Sequence, residues 1–446
     1  MNIFEKYALK TPDILLPGKL TDFSVWAVIA CDQYTQDKEY WDKVQSITKN
    51  KHSARHIILP EFYLHNLSEK QRQEEVIKIH NNMQNYIKNA VFAEPISSMI
   101  YVERKTFYGR TRKGLITCID LEKYDWKKSS KAEIRATEAT ILDRLPPRME
   151  IRQTAPIELP HIMLLANDYD NILIGELEKN IHKTEVSPIY NFDLMMNAGS
   201  ISGWAIPQEL SSAVIKPALE KLYKNNTGED GSTFMFAVGD GNHSLAAAKA
   251  VWEEFKQKTG SIPAEDGSVS IPKSIENHPL RYALVEIVNL YDSGLTFEPI
   301  HRILFDTDGK KLTDFIQSKL GGTVIKCKSE EELLNKVESS TSSFGFISER
   351  EGLICLETNL DCLAINAIQP LLDEFTGSEK KIDYIHGTDE AFRLSEKVNS
   401  VSVLLPPISK MNFFSTIAEY GSLPRKSFSM GEASEKRFYL ECRSLS

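Results

Sequence analysis

The stretch that most limits how this chain can fold is Thr233 to Lys258, TFMFAVGDGNHSLAAAKAVWEEFKQK. It opens with the apolar run Phe234-Met235-Phe236-Ala237-Val238, short enough for a buried strand. A turn follows, Gly239-Asp240-Gly241-Asn242-His243-Ser244, and then a helix with Leu245, Ala248, Trp252 and Phe255 on one face. A strand, a glycine turn and a helix N-terminus together make an anion site. Glycine lets the backbone approach a ligand, and the first helical amides have no internal partner. Asp240 and His243 add a carboxylate and an imidazole beside that anion. Asn242 or Ser244 is expected to cap the helix. An ordinary turn also uses Asn, Asp, Gly and Ser, but it does not need an imidazole next to an acid.

Two phosphate motifs are tested by this stretch. A P-loop is excluded, because no Lys-Ser/Thr pair follows the glycines. Gly239, Gly241 and Ser244 read G-x-G-x-x-S, close to a dinucleotide fingerprint. That fingerprint also needs an acidic residue ending a second strand about 20 residues on. Here a polar loop, Thr259 to Asn277, follows the helix instead.

At 446 residues the chain has room for two to three domains and a large core. With 41% hydrophobic and 26% charged residues it reads as a globular protein. A net charge of −9 argues against nucleic acid as a partner, which wants a basic surface. The start, MNIFEKYALK, carries no apolar signal region, and no apolar run is long enough to span a bilayer. Six scattered cysteines without C-x-x-C spacing read as reduced thiols of a cytoplasmic protein. A homodimer stays open.

Taken in order, Val25 to Ala30 predicts a strand ending in the polar cluster Cys31-Asp32-Gln33-Tyr34-Thr35, at the kind of strand end where α/β proteins bind ligands. Amphipathic helices are expected over 36–48 and 68–89. A strand-turn-strand unit is expected from Met99 to Leu121. Ala132 to Asp143 is expected to be helical, stopped by Pro146-Pro147, with Arg135 and Glu138 on one face; Arg135, Glu138, Asp143 and Arg144 either clamp an anion or lace a surface with ion pairs. A strand from His161 to Ala166 and a helix over about 170–184 follow. Asn197 to Trp204 is expected as a loop over a ligand, before a helix from about Pro207 to Tyr223. Beyond the central unit, Ala283 to Leu290 reads as a buried strand, and Pro299-Ile300-His301-Arg302 presents two donors, with Arg302 suited to bidentate phosphate or carboxylate contact. From about 310 the chain alternates plainly between helices and strands. Its end carries the basic turn Leu423-Pro424-Arg425-Lys426-Ser427 and a last strand, Lys436 to Cys442.

These stretches resemble the family called domain of unknown function 1015. The resemblance rests on Cys31-Asp32-Gln33-Tyr34, on Arg135-Ala136-Thr137-Glu138-Ala139-Thr140 with Asp143-Arg144, and on Gly239-Asp240-Gly241-Asn242-His243-Ser244. It continues through Pro299-Ile300-His301-Arg302, Ile382-Asp383-Tyr384-Ile385-His386 and Leu423-Pro424-Arg425-Lys426-Ser427. More distantly, the central turn resembles the aspartate-glycine-x-histidine-arginine signature of the ParB/sulfiredoxin-like group, which includes free-serine kinases and holds nucleotide phosphates on this turn. Ser244 stands where that signature has arginine. The resemblance also implies a link to serine metabolism.

The fold expected is α/β with α+β elements. It has an N-terminal α/β domain (1–190), a ParB/sulfiredoxin-like core around the strand–glycine turn–helix (191–308) and a C-terminal α/β domain (309–446). The function expected is nucleotide-dependent phosphoryl transfer to a small hydroxylated metabolite, with free serine implied by the resemblance. A nucleotide- or metabolite-binding regulator and a metal-dependent phosphohydrolase are the alternatives. Gly239, Gly241, Asn242 and Ser244 would hold the phosphates of ATP or ADP, with Arg302, His301, Arg135, Arg425 and Lys426 supplying positive charge. Asp240 would hold Mg²⁺ or act as base, His243 would donate to a phosphate oxygen, and Glu138 or Asp32 would orient or deprotonate the acceptor.

Overall fold

A computed structural model describes residues 3–64, 67–142, 145–184, 186–259, 271–377, 382–396 and 398–445. Among these residues the fold is mixed α/β and is organised by two large sheets. The first has ten strands. Its centre runs Thr111–Asp120, Tyr282–Asn289, Met163–Ala166, Phe236–Asp240 and Ile134–Arg135. Met163–Ala166 lies parallel to Tyr282–Asn289 and antiparallel to Phe236–Asp240. The second sheet has six antiparallel strands, in the order Thr323–Lys326, Gly352–Glu357, Ser343–Ser348, Val401–Leu404, His301–Leu304 and Ile382–Ile385.

Side chains alternate across a strand, so the central strands feed two cores. Leu164, Ala166, Phe236, Val238, Val285 and Ile287 face one core, built with Trp26, Trp41 and Trp252. Met163, Leu165, Ala237 and Val288 face the other, shared with Phe344, Phe413 and Leu404's neighbour Val403 from the second sheet. A continuous apolar run in sequence is what a strand covered on both faces requires.

The elements read after residue 310 are all present, from the helix Gly309–Leu320 to the helix Lys410–Tyr420. Four earlier expectations need correction. Ala132 to Asp143 is not a helix. Ile134–Arg135 is a strand beside Phe236–Asp240, and residues 136–142 are irregular, because their backbone groups bond outward: Leu423 N donates to Thr137 O at 2.7 Å. Pro146-Pro147 starts a helix, Pro146–Gln153, rather than ending one, since proline suits the first helical turn. Asp143 and Arg144 lie outside the described residues, as does most of the loop from 259 to 277. Val25-Trp26 belongs to a short helix, Phe23–Trp26, capped by Asp22, and only Val28–Ile29 is strand. Asn197 to Trp204 is no loop. Gly199–Ala205 is a strand paired on both sides, and its small residues let Tyr190 pack over Gly203.

The chain's end returns to the first sheet's side of the molecule. Phe438–Tyr439 pairs with Val28–Ile29, and Cys442–Ser444 pairs with Asp13–Leu15 and Ile157–Glu158. The expected strand Lys436 to Cys442 is therefore two short pieces. Arg437 anchors this return. It is 2% exposed and donates to Glu286 at 2.7 Å, to Glu441 at 2.6 Å and to Pro160 O at 3.3 Å. Buried charges of this kind persist only when paired and hydrogen-bonded. The pairing fixes where the neighbouring Lys436 and Tyr439 point. No helix among the described residues is long and apolar enough to cross a membrane.

Candidate functional site

The site grows from an irregularity in the central strand. Met163 pairs with Asp240 and Leu164 with Val238, so Gly239 is the extra residue of a bulge. A bulge re-aims the side chain beside it. Glycine is needed here because a Cβ would lie 2.7 Å from Met430 Sδ and 2.9 Å from Leu165 Cγ. Gly241 follows at φ +81°, the left-handed region, and is the N-cap of the helix Asn242–Lys258. The expected caps are not used. Asn242 instead accepts from Thr137 N at 3.2 Å and donates to Thr137 Oγ1 at 3.2 Å. His243 Nε2 accepts from Ile141 N at 3.4 Å. Thr137 Oγ1 also donates to Val238 O at 2.5 Å. These bonds clamp the irregular segment against the turn and carry Glu138 to it.

A polar cleft of about 320 Å³ opens there. Gly239, Asp240, Gly241, Asn242, His243 and Ser244 line its floor, and Asp32, Glu138, Lys426 and Lys436 line its walls. Nine of the thirteen predicted site residues thus converge, although they come from four separate stretches of chain. Asp240 Oδ1 accepts from Gly241 N at 2.9 Å, and Oδ2 lies 3.8 Å from Lys436 Nζ. Lys436 Nζ also donates to Ser429 Oγ at 3.2 Å. Asp32 Oδ1 accepts from Gln33 at 3.0 Å, and its Oδ2 lies 3.9 Å from His161 Nε2. Glu138 Oε1 accepts from Ser427 N at 3.3 Å.

The carboxylates are not equivalent. Burial pushes the Asp240 carboxyl above its ordinary range, and nearby Asp32 adds to that rise while Lys436 opposes it. Burial raises Glu138 too, against the pull of Lys426 and the amides of Ser427 and Lys426. For Asp32 burial acts upward as well, but His161, Gln33 and Lys436 outweigh it and hold the group below its ordinary value. Asp32 is thus the carboxylate the fold keeps charged, while Asp240 and Glu138 sit where an added cation would be welcome. Mg²⁺ takes one or two carboxylates and completes its shell with phosphate oxygens and water, which Asp240 with Glu138 fits. Among the described residues, the one preassembled trio of metal-ligand atoms lies elsewhere, at Glu103, Glu178 and His182. There His182 bonds Glu103 at 2.7 Å and Lys113 holds Glu178 at 2.7 Å.

Four predicted residues do not line the cleft. Arg302 is fully buried, its Nε donating to Gln369 at 2.9 Å and its Nη1 to Ile300 O, with the Tyr384 ring 5.0 Å away. His301 is buried beside it and accepts from Leu405 N at 3.1 Å. Burial holds its pKa down at about 4. Both sit in a strand with neighbours on each side, which turns them into the second sheet's core. Arg135 lies over the Phe234 ring at 4.3 Å and donates to Ala132 O at 2.9 Å. Arg425 donates to the Tyr384 hydroxyl at 3.2 Å. The positive charge at the cleft comes instead from Lys426, from Lys436 and from Arg148, which pairs with Glu61 on the cleft wall. Lys436 read only as the start of a strand. No local pattern marks it, because the Arg437 anchor that aims it is a tertiary feature.

The family model described as "Protein of unknown function (DUF1015)" matches residues 15–375. The chain belongs to the DUF1015 family. No curated protein matches it. Among solved structures it is similar to a conserved hypothetical protein from Pyrococcus furiosus, at 13% identity and TM-score 0.35, covering 74% of this chain and 95% of that one. A free serine kinase in complex with AMP is similar at 13% identity and TM-score 0.37, over 74% of this chain and 92% of that one. SbnI with C-terminal truncation from Staphylococcus aureus is similar at 7% identity and TM-score 0.35, over 71% and 82%.

Proposed function

We propose that this member of the DUF1015 family is a phosphotransferase that moves a phosphoryl group from a nucleoside triphosphate such as ATP to a small hydroxylated metabolite. One observation carries the reading: a helix N-terminus, the carboxylates Asp32, Glu138 and Asp240, two lysines and the Arg148–Glu61 pair, from distant parts of the chain, face one cleft. Phosphoryl transfer needs little covalent help from a protein. It needs phosphate oxygens held by amides and cations, a metal between them and an aligned acceptor.

Each part has a candidate here. The first amides of the helix Asn242–Lys258 and its dipole receive phosphate. Gly239 and Gly241 let the turn pack against Met430, Leu165 and Ile162, where a Cβ would crowd them. Lys436 and Lys426 neutralise oxygens as point charges. Asp240, with Glu138, would hold Mg²⁺, which supplies charge neutralisation on the phosphates. His243 accepts from Ile141 N at Nε2, which puts its proton on Nδ1, the atom that would donate to a phosphate oxygen. A regulator without turnover would need the phosphates but not three acids at their side.

The test is to titrate ATP and ADP calorimetrically with and without Mg²⁺, and to follow ADP formation with a panel of hydroxylated metabolites. Nucleotide binding that requires Mg²⁺, with acceptor-dependent ADP release, supports the proposal. Phosphate release from phosphorylated metabolites without nucleotide would point to the hydrolase, and the absence of nucleotide binding would end the reading.

A further inference from the structure

The cleft continues past Ser244 into a second cavity of about 150 Å³. Its walls are mainly apolar, with Ile57, Leu59, Met83, Ile151, Ile162 and Leu284 prominent. Glu61, Arg148 and Ser244 border both spaces. An apolar cavity of this size takes up a small apolar molecule. One end of the apolar cavity is polar and built. Ser244 Oγ lies 3.1 Å from His161 Nε2, and His161 Nδ1 lies 2.9 Å from the Tyr439 hydroxyl. That hydroxyl also accepts from Cys31 N at 3.2 Å. His161 is 7% exposed and held from both sides. Cys31 is no rival nucleophile, because burial pushes its thiol up to about 12.

A base at Nε2 requires the ring proton on Nδ1, where Tyr439 Oη can accept it. Nε2 then faces the boundary between the two spaces, with Asp32 at 3.9 Å to steady the imidazolium. The charged side chains that line it pair with one another, Arg148 with Glu61 and Arg152 with Glu158, so a three-carbon zwitterion such as free serine would find no uncommitted partner there and would leave the apolar walls uncovered. What fits is a molecule with an apolar body and a hydroxyl at one end.

We propose that the phosphoryl acceptor is such a molecule, seated in the apolar cavity with its hydroxyl at the Ser244–His161 pair, where His161 acts as its base. The inference rests on the phosphotransferase reading above. The acceptor oxygen forms a bond to the terminal phosphorus of the nucleoside triphosphate. The phosphorus–oxygen bond to the nucleoside diphosphate breaks, with its electron pair leaving on the diphosphate. The acceptor's proton passes to His161 Nε2 and from there to water.

The test uses the full chain and n-alkanols from butanol to octanol as probes. Binding is measured by calorimetry in the presence of ADP and Mg²⁺, and phosphorylation is measured with ATP. Each added methylene should tighten binding about fourfold until the cavity is full. Ile151→Trp should weaken octanol binding at least tenfold with nucleotide affinity unchanged. His161→Gln should lower kcat by about 100-fold or more while KM for the alkanol stays within a few fold. The chain-length series needs no variant, so it stands even if Ile151→Trp fails to fold. Binding independent of chain length, with nucleotide still bound, overturns the inference and leaves the phosphotransferase reading in place. Absence of nucleotide binding overturns both.

Discussion

Asp240→Asn separates a working carboxylate from a turn residue. The amide keeps an oxygen for the Gly241 N–H, now bonded at 2.9 Å, so the turn's geometry is preserved. The charge is lost, and with it the attraction to Lys436 at 3.8 Å. At an effective dielectric near 20, a pair about 4 Å apart attracts by roughly 4 kcal/mol before desolvation is counted. Burial opposes that attraction, and Asp32 adds repulsion. The net result is visible in the direction of the Asp240 pKa, which is raised. A carboxyl whose folded pKa is raised loses the protein stability as pH climbs through that value, and the loss is complete above it. Removing the charge should therefore leave stability unchanged or increase it by about 0.5–2 kcal/mol at neutral pH, as happens where function has been kept at the expense of stability. Lys436 stays satisfied by Ser429 and by the field of Asp32. Turnover should fall by about 100-fold or more. Thermal unfolding and ADP release, measured on the same preparation, check both halves. A variant that melts many degrees lower, while its folded fraction turns over at the wild-type rate, would refute the reasoning and return Asp240 to the role of a turn residue.

Other outcomes follow from the same geometry. Lys436→Met should weaken ATP binding about tenfold while leaving the Arg437 anchor intact, a difference calorimetry reads directly. Activity should fall on the acid side at a pH above the ordinary carboxylate range, as Asp240 takes its proton, and pH profiles of kcat/KM will show where. His301, held at about 4 against an ordinary value of 6.5, contributes stability that is present above pH 6.5 and lost as pH falls toward 4. Denaturant midpoints across that range should drop in the native protein and drop less in His301→Gln. Arg302→Lys should destabilise the protein by about 2–4 kcal/mol through the lost Gln369 and Ile300 bonds, with nucleotide affinity of the folded protein unchanged.

The sequence made the central unit legible because every local signal agreed there: an apolar run of strand length, two glycines and an amphipathic helix. It also made the alternation after residue 310 legible, where short capped helices such as Asp308 before Gly309–Leu320 announce themselves. It failed where tertiary pairing outweighed local preference. Ala132 to Asp143 has helix-forming composition, yet Ile134–Arg135 completes the sheet beside Phe236–Asp240 and the next residues bond to Asn242, His243 and Leu423. Charge was the least legible part of the site. Arg135 and Arg302 looked suited to phosphate but are buried on strands against aromatic rings, while Lys436 reaches the cleft, and His161 the cavity beside it, because buried partners aim them. Acids and glycines next to a turn are placed by local geometry, whereas the cations opposite are placed by the whole fold.

The most direct test of the central claim is a crystal structure of the protein with Mg²⁺ and a non-hydrolysable nucleoside triphosphate. The account predicts phosphate oxygens on the amides of Asn242 to Ser244, a metal on Asp240 and Lys436 turned toward the phosphates. Nucleotide bound away from this helix terminus, with Asp240 still paired only to Gly241 and Lys436, would contradict it.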